Sequence, residues 1–572
     1  MSPLFTRWGW CALAASIPQE PAQEVRAAPA SSGRAAIGDR LPDLSFVDLD
    51  GASGRLSDYA DREALVVVVR HLQCPKSAEL APRLAELESQ YLLRGVGFVY
   101  VDLAGGSSDE ALRAEAKEHS LQGRQLRDGS GRFGFGLGAS SSTQAFVLDA
   151  RRRLRYRGAA AETTSQALDA ILARDRVAVP ECDAPGLELR FDPPPADDAA
   201  PPALTWHGDL RLVAEARCQR CHRPGGGGPF SLLESADFAG RDAMVRRVIA
   251  QRVMPPWYAS ARSEKCRNDT RLTDDERKLF LRWIQDGCEE GTASGEPSTS
   301  PTTDDWRIPT PDIVFELPRD YPVPATGVLP YVHLSTDYVL PETVWVQAIE
   351  VKPRCPQVVH HLALVATDEK GLRGELLDGY LPGKEPTIYP EGMAKLLKKG
   401  TRFNFSVHFT PNGTACSERL RVGIVTAKTK PNLRVSGFYV RALGFVIPPG
   451  AREFAVTAEK PMPADGEIVR LIPHMHLRGK SFVIELVFPD GTSRRPLEID
   501  RWHPDWQFAY DLERPIAAPK GTIVRVTGVF DNSAANPFNP DPGKRVFEGP
   551  QIFNEMAESV IEFVAPTDGD GG

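Results

Sequence analysis

The sequence lacks the features of several common classes of protein. No uninterrupted apolar run reaches the roughly 20 residues of a membrane-spanning helix. Basic residues are not in excess, since the formal net charge is −8, and this argues against nucleic acid as a partner. No repeat of short period is found. With 572 residues, of which 42% are hydrophobic, the chain is long enough for about four domains.

A strong export signal is also missing. Residues 1–35 form a leader that begins MSPLFTRWGWCALAAS, with one arginine and only a brief apolar stretch, so it is a weak candidate signal peptide. A disordered start explains it equally well. The cysteines favour export, because nine are many for a cytosolic enzyme and the candidate disulfides Cys266–Cys288 and Cys355–Cys416 fit an oxidising compartment. We therefore expect a periplasmic, exported or envelope location; free buried thiols are the alternative reading of these cysteines.

Composition divides the chain into folded segments and linkers. A stiff Pro-rich linker, which contains DPPPADDAAPPA, is predicted at 183–205. A flexible linker rich in Ser, Thr and Gly is predicted at 292–305. The folded segments are then 36–182, 206–291, 306–447 and 448–568.

The first segment, 36–182, alternates strands and helices. ALVVVVRHLQ and GVGFVYVDL are buried-strand runs, and KSAELAPRLAELESQYL is an amphipathic helix. Cys74 stands where the first strand turns into this helix, and a thiol at a helix N-terminus can have a depressed pKa. The segment resembles the thioredoxin-like redoxin and peroxiredoxin families, which implies an α/β thioredoxin-like domain.

The same segment departs from the family pattern beside Cys74. Ser77 replaces the second cysteine of a CxxC motif, His71 stands in place of the usual threonine, and Thr143 in place of the usual cis-proline. A redox-active Cys74 and a structural Cys74 therefore stay open as alternatives. Cys182 is a distant candidate partner for this thiol.

The second segment, 206–291, is short and mostly helical, and it contains CQRCH. Cys218, Cys221 and His222 are the residues of covalent haem attachment. Zinc is disfavoured because no second CxxC follows. The segment resembles class I-type cytochrome c domains, a small all-α fold in which a downstream methionine is the distal haem ligand. Met254, held between a valine and two prolines, is the preferred candidate, and Met244 is its competitor.

The remaining segments, 306–447 and 448–568, are predicted to be two all-β sandwich domains. Short alternating runs such as ETVWVQAIEV and TIVRVTGVF are separated by Gly, Pro, Asn and Asp turns. His474 and His476 are two residues apart, so on a strand they point to one face. His360 and His361 are adjacent, so they share one ion only if their strand is bulged or ends there. His408 alone is weak evidence.

The order of these histidines, followed by Met556 in FNEMAES, resembles the copper type II, ascorbate-dependent monooxygenases. This family includes the peptidylglycine α-hydroxylating and dopamine β-monooxygenases, and the resemblance implies jelly-roll-like copper domains. It also implies an electron-donating copper and an oxygen-binding copper, held respectively by His360, His361 and His408 and by His474, His476 and Met556. Imidazole suits both oxidation states of copper, and a thioether favours Cu(I).

The sequence therefore predicts a copper-dependent monooxygenase that hydroxylates a C–H bond with dioxygen. Its cofactors are two copper ions and a covalent haem c that relays electrons, with ascorbate as a candidate external donor. The substrate, a small molecule or a peptide, is not identified, because Ala557, Glu558 and Ile472 replace residues of the animal enzymes. The alternatives are a copper- and haem-binding electron-transfer or sensing protein without oxygenase activity, and a cytochrome-linked thiol peroxidase at Cys74.

Overall fold

The computed structural model describes residues 35–103, 107–160, 162–191, 203–293, 306–371 and 374–567. Nearly all of the predicted leader, residues 192–202 of the first predicted linker and residues 294–305 of the second lie outside these residues. Among the helices of the described ranges, none has the length and apolar character needed to cross a membrane.

The first domain is a five-stranded sheet between helices. The strand order is β5-β4-β3-β6-β7, with β3 parallel to β4 and antiparallel to β6. Its elements are β1 (Ser45–Val47), β2 (Ser53–Arg55), β3 (Ala64–Arg70), α1 (Pro75–Leu92), β4 (Val96–Asp102), α2 (Asp109–Glu118), β5 (Arg124–Arg127), α3 (Arg132–Leu137), β6 (Gln144–Asp149), β7 (Leu154–Ala159) and α4 (Glu162–Ala173).

The predicted thioredoxin-like fold is confirmed in this domain. Successive valines of β3 enter two different cores, with Val66 and Val68 on one face of the sheet and Val67 and Val69 on the other. This explains why β3 is a continuous apolar run, since a central strand covered on both faces has no solvent side.

The second segment is helical, as predicted. Its elements are a π-helical turn (Trp206–Leu210), α5 (Arg211–Arg217), α6 (Ser235–Ala239), α7 (Asp242–Ala250) and α8 (Asp274–Gln285). Trp206, Phe238 and Trp283 meet in its core. The helix α8 begins at a capping box, in which Thr273 and Glu276 each accept a hydrogen bond from the other's backbone N–H.

The stretch between α7 and α8 leaves this helical core. Trp257 packs in the core of the C-terminal β half, and the backbone of Cys266 pairs with that of Leu512. Cys288 instead lies in the helical core. The predicted Cys266–Cys288 disulfide is therefore not formed: the two thiols are free and belong to different cores.

The rest of the described chain is all-β, as predicted. The strands of the first half are β8 (Ile313–Glu316), β9 (Tyr321–Val323), β10 (Val332–Val339), β11 (Val344–Lys352), β12 (Val359–Thr367), β13 (Gly374–Tyr380), β14 (Thr387–Ile388), β15 (Met393–Leu397), β16 (Arg402–Phe409), β17 (Cys416–Glu418), β18 (Arg421–Thr426), β19 (Leu433–Arg441) and β20 (Val446–Ile447). Those of the second half are β21 (Phe454–Pro461), β22 (Gly466–His474), β23 (Gly479–Val487), β24 (Ser493–Ile499), β25 (Tyr510–Ala518), β26 (Ile523–Phe530), β27 (Val546–Phe547) and β28 (Glu558–Pro566).

One sheet runs through both β halves. Its order is β25-β22-β28-β19-β15-β11-β18-β8, with β14 paired to β11. The join is made by β19, which is parallel to β15 of the first half and antiparallel to β28 of the second. A four-stranded sheet, β10-β16-β12-β13, shares a core with the first half, and another, β21-β26-β23-β24, shares a core with the second. Hydrogen bonding is therefore continuous across the predicted boundary at 447/448.

Buried charges cross this join. The carboxylate of Glu562 on β28 lies 2.5 Å from the Lys395 Nζ on β15 and 3.2 Å from the Arg470 guanidinium on β22. Arg470 also pairs with Asp511 on β25. Burial alone would raise the pKa of Glu562, but the two cations lower it, so the carboxylate is charged. The Glu562–Lys395 pair joins the two halves of the sheet, because its residues lie on β28 and β15.

We expect Glu562→Gln to destabilise the β region by about 3–5 kcal/mol, because it leaves Lys395 buried without its carboxylate and removes one of the two carboxylates paired with Arg470. The measurement is the free energy of unfolding from urea denaturation. The control is Lys428→Met, which removes the partner of Asp312 in an ion pair whose lysine is 75% exposed and should cost at most about 1 kcal/mol. Equal effects of the two substitutions would show that the buried pairs do not hold the halves together.

Candidate copper and redox sites

Three histidines of the first β half converge on one point. His361 on β12 pairs directly with His408 on β16, and the register shifts between Val359 and His361. This irregularity is the predicted bulge, and it brings His360 to the same side as His361. The Nδ1 atoms of His360 and His408 are 3.0 Å apart, and the ligand atoms of all three residues lie within 4.8 Å of one another.

Two members of this trio, His361 and His360, each contact a neighbouring side chain through the outer nitrogen, Nε2, which faces away from the point of convergence. The Nε2 of His361 lies 2.5 Å from the Tyr331 hydroxyl, and the Nε2 of His360 lies 3.1 Å from an Asp505 oxygen. The Nδ1 of His361 is buried and has no hydrogen-bond partner among the described residues. A buried nitrogen without a partner is costly unless something binds it. The donor set therefore fits a metal ion held by Nδ1 atoms.

Burial favours the neutral form of His361 and His408, and neutral imidazole is the form that binds metal. Burial and the neighbouring histidines lower the pKa of His361 well below its usual value. Burial, and then the electrostatic effect of the His360 imidazole, lower the pKa of His408 to about 4.

A second pair of histidines lies at the end of β22. The Nε2 atoms of His474 and His476 are 3.1 Å apart, so the two residues share one face, as the HxH spacing predicts. Each Nδ1 is bonded to an oxygen, the side-chain oxygen of Gln507 for His474 and the backbone oxygen of Asn554, at 3.1 Å, for His476. Such outer bonds orient metal-binding imidazoles, so the free Nε2 atoms fit as ligands.

Met556 lies close to this pair by register. Glu558 at the start of β28 pairs with His474, and continuing that antiparallel register places Met556 opposite His476. Met556 is buried. The preceding residue, Glu555, accepts hydrogen bonds from the backbone N–H groups of His476, at 2.9 Å, and Arg478, at 2.6 Å. Glu555 thus holds the histidine segment against the methionine segment.

Tyr331 lies between the two histidine groups. Its ring centroid is 5.1 Å from that of His408 and 5.9 Å from that of His476. The two groups therefore face one another across a single aromatic side chain. Nothing in the sequence around Tyr331 marks it as part of the site, because it precedes β10 by one residue and follows a proline-rich turn.

The CQRCH motif follows α5. His222 places Nδ1 3.0 Å from the backbone oxygen of Phe230 and packs on the Phe230 ring, which leaves Nε2 free. This is the arrangement of a histidine oriented for a metal, and together with Cys218 and Cys221 it fits haem attachment. Met254 is half-buried, and Met244 is 45% exposed on α7.

The motif packs on the first β half. Arg220 forms a 2.7 Å ion pair with Glu385, and Gly227 and Cys221 lie against Pro382 and Gly383. This turn follows β13 directly. Because Tyr380 at the end of β13 pairs with Leu362 on β12, the motif lies one strand away from the residue after His361.

Cys355 and Cys416 are also brought together. Their thiols are hydrogen-bonded to each other, and both are free in the structure. The predicted disulfide is thus not formed, although the two sulfurs are neighbours.

Cys74 begins α1 and is 2% exposed. Burial alone would raise the pKa of its thiol, but hydrogen bonds from the Ser142 hydroxyl and from the N–H groups of Ser77, Leu187 and Lys76 lower it. Cys182 does not join this group, because its sulfur contacts the Tyr156 hydroxyl at 3.2 Å. The Cys74 thiol therefore ionises more readily than an ordinary thiol, but its sulfur is covered by neighbouring residues.

The cover is made by the chain after α4. Residues 185–189, here called the strap, fall in the predicted Pro-rich linker but lie on the first domain, so the folded part extends beyond residue 182. Ser142 donates its N–H to the Leu187 oxygen at 3.1 Å, and Leu187 donates its N–H to the Ser142 hydroxyl at 3.0 Å. Thr143, in the usual cis-proline position, donates to the Pro185 oxygen.

Comparison with known proteins identifies the first domain. The Redoxin family model matches residues 36–172. A hypothetical protein, SMc02350, from Sinorhizobium meliloti is 23% identical, with 28% of this chain and 97% of that one covered and a TM-score of 0.27. Peroxidoxin BcpB from Mycobacterium tuberculosis is 17% identical, with 24% and 94% covered and a TM-score of 0.21. None of the curated proteins compared with the chain matches it.

The family match and the observed sheet establish a redoxin domain, which supports an oxidoreductase. The match ends at residue 172, before the CQRCH motif and the histidines. The family match therefore gives no support for haem or copper binding by the later segments.

Proposed function

We propose that the protein is an exported copper-dependent monooxygenase that hydroxylates a C–H bond of a small molecule or peptide with dioxygen. The observation that carries this proposal is the convergence of three imidazoles whose ligand atoms lie within 4.8 Å of one another, together with the unpartnered Nδ1 of His361 and a second pair of convergent imidazoles. Copper at the His360 trio would transfer electrons, and copper at His474, His476 and Met556 would activate dioxygen.

The chain's own residues prepare these sites in two ways. Tyr331 and Asp505 hold the outer nitrogens of His361 and His360, so the inner nitrogens need no reorientation before they bind. Burial favours the neutral form of His361 and His408, which is the form that binds metal.

The role of the CQRCH segment in this proposal is to supply electrons. Hydroxylation consumes dioxygen, two electrons and two protons, and yields the alcohol and water. A haem attached at Cys218 and Cys221 would pass electrons singly from an external one-electron donor, for which ascorbate is a candidate. The contact of the motif with Gly383 and Glu385 favours a docked haem segment over one that diffuses on its linker.

The first test is metal content. We expect two coppers and one covalent haem in each chain, measured by elemental analysis and by the haem absorbance of the denatured protein. His361→Ala and His476→Ala should each remove about one copper, because each deletes a convergent ligand. His333→Ala, which alters an exposed histidine on β10, should remove neither. A wild-type chain that binds a single copper would contradict the two-site proposal.

The second test is electron transfer from pre-reduced haem to Cu(II) in stopped-flow mixing. The rate should not depend on protein concentration, because donor and acceptor belong to one chain. Glu385→Gln, which removes the partner of Arg220, should slow it. Glu369→Gln, an exposed change in the β12–β13 turn, should leave it unchanged. A rate proportional to protein concentration would leave a small-molecule reductant as the donor.

A second candidate function is thiol peroxidase activity at Cys74. It is favoured by the Redoxin match and by the hydrogen bonds that lower the pKa of this thiol. The thiolate would attack a peroxide oxygen, which gives a sulfenic acid and releases an alcohol or water, and an external thiol reductant would restore it. The strap must move first, because it covers the sulfur.

This candidate predicts opposite effects of two substitutions on peroxide consumption. Cys74→Ser should abolish it. Gly186→Val should increase it, because a Cβ there would lie 2.6 Å from the Ser141 hydroxyl and 2.8 Å from the Ser142 hydroxyl and would displace the strap. Gly129→Val, at a position with open space, is the matched control and should have no effect. Consumption that survives Cys74→Ser would exclude this thiol as the reactive group.

A further inference from the structure

One loop contacts both histidine groups. The segment between β24 and β25 carries Asp505, whose oxygen lies 3.1 Å from His360 Nε2, and Gln507, whose oxygen is hydrogen-bonded to His474 Nδ1. We refer to residues 503–508 as the bridging loop. It belongs to the second β half, yet it supplies the outer partner of a histidine in the first half.

The bridging loop is internally tied. Gln507 donates its side-chain N–H to the Pro504 oxygen at 3.2 Å, so its amide oxygen has a fixed direction. The backbone N–H of Asp505 lies 3.3 Å from His503 Nδ1, and that of Trp506 donates to the His503 oxygen at 3.1 Å. A displacement of Asp505 is therefore transmitted to Gln507, two residues away.

The loop is also packed against the helical segment. Trp257 lies 5.5 Å, centroid to centroid, from Phe508 at the end of the loop, and Tyr258 lies 5.5 Å from His503. These contacts leave the loop little freedom to adjust separately at its two histidine contacts.

We propose that the bridging loop couples the two copper sites, with Asp505 and Gln507 as positioning residues. This inference rests on the proposed function. Asp505 fixes the rotation of the His360 ring, Gln507 fixes that of the His474 ring, and the short chain between them makes each orientation depend on the other. Occupation of one site then changes the affinity of the second, and the coupling is reciprocal.

The experiment isolates each site in turn. The His361→Ala protein should retain copper only at His474, His476 and Met556, and Asp505→Asn is added to it. We expect the Cu(II) hyperfine splitting in the electron paramagnetic resonance spectrum to change, and the Cu(I) affinity, measured by competition with a chromogenic chelator, to fall. In the reverse arrangement, Gln507→Ala is added to His476→Ala, and the copper of the remaining trio should respond in the same way.

In the chain with all copper ligands intact, each loop substitution should also weaken its own site by about 10–100-fold, the usual loss when an outer partner of a metal-binding histidine is removed. The matched control is Asp500→Asn, five residues before Asp505, whose carboxylate pairs with Arg262 instead of a histidine. It should alter neither site. Circular dichroism of each variant identifies any loss of fold. The two experiments substitute different residues of the bridging loop, Asp505 in one and Gln507 in the other.

The outcomes separate this inference from the proposed function. If Asp505→Asn and Gln507→Ala each change only their own site, coupling is refuted and the two-site proposal stands. If the His361→Ala and His476→Ala proteins bind no copper at all, the proposed function fails, and the coupling fails with it.

Discussion

The buried ion pair between Glu562 and Lys395 holds the two halves of the β region in one sheet. Glu562 lies on β28 and Lys395 on β15, so this contact crosses the join at β19, and Arg470 on β22 supplies a second cation to Glu562 from within the second half. β22 ends at His474, and the core of the first half supports the strands that carry the other histidines. The separation of the histidine groups is thus set by the sheet. An arrangement with Tyr331 between them would not persist if the halves moved independently.

Much of the histidine site can be predicted from the sequence. The HxH spacing places His474 and His476 on one face, because strand side chains alternate. The adjacent histidines require an irregular strand, and the register shift at His360 provides it. The second-half partners of these ligands are not predictable. Asp505 and Gln507 lie in a loop with no periodic pattern, and only the folded sheet brings that loop to β12.

The strap is a folded segment that the sequence did not predict. The strap lies in the stretch 183–205, whose composition predicts a linker because proline and aspartate are unfavourable in helices and central strands. Its backbone nevertheless pairs with the loop before β6: Ser142 donates its N–H to the Leu187 oxygen, and Leu189 donates its N–H to the Ser140 oxygen. Such pairing depends on backbone groups, which every residue type supplies, so side-chain composition does not reveal it. The candidate Cys266–Cys288 disulfide fails for a related reason, since the two residues fall in one short segment of the sequence but lie in different cores.

The most direct test of the account is an anomalous difference map from copper-loaded crystals, collected on both sides of the copper absorption edge. The account predicts two copper peaks on either side of the Tyr331 ring. One should lie among the Nδ1 atoms of His360, His361 and His408, and the other beside the Nε2 atoms of His474 and His476 with Met556 as a ligand. A single peak, or copper bound at Cys218 and Cys221 instead, would contradict it.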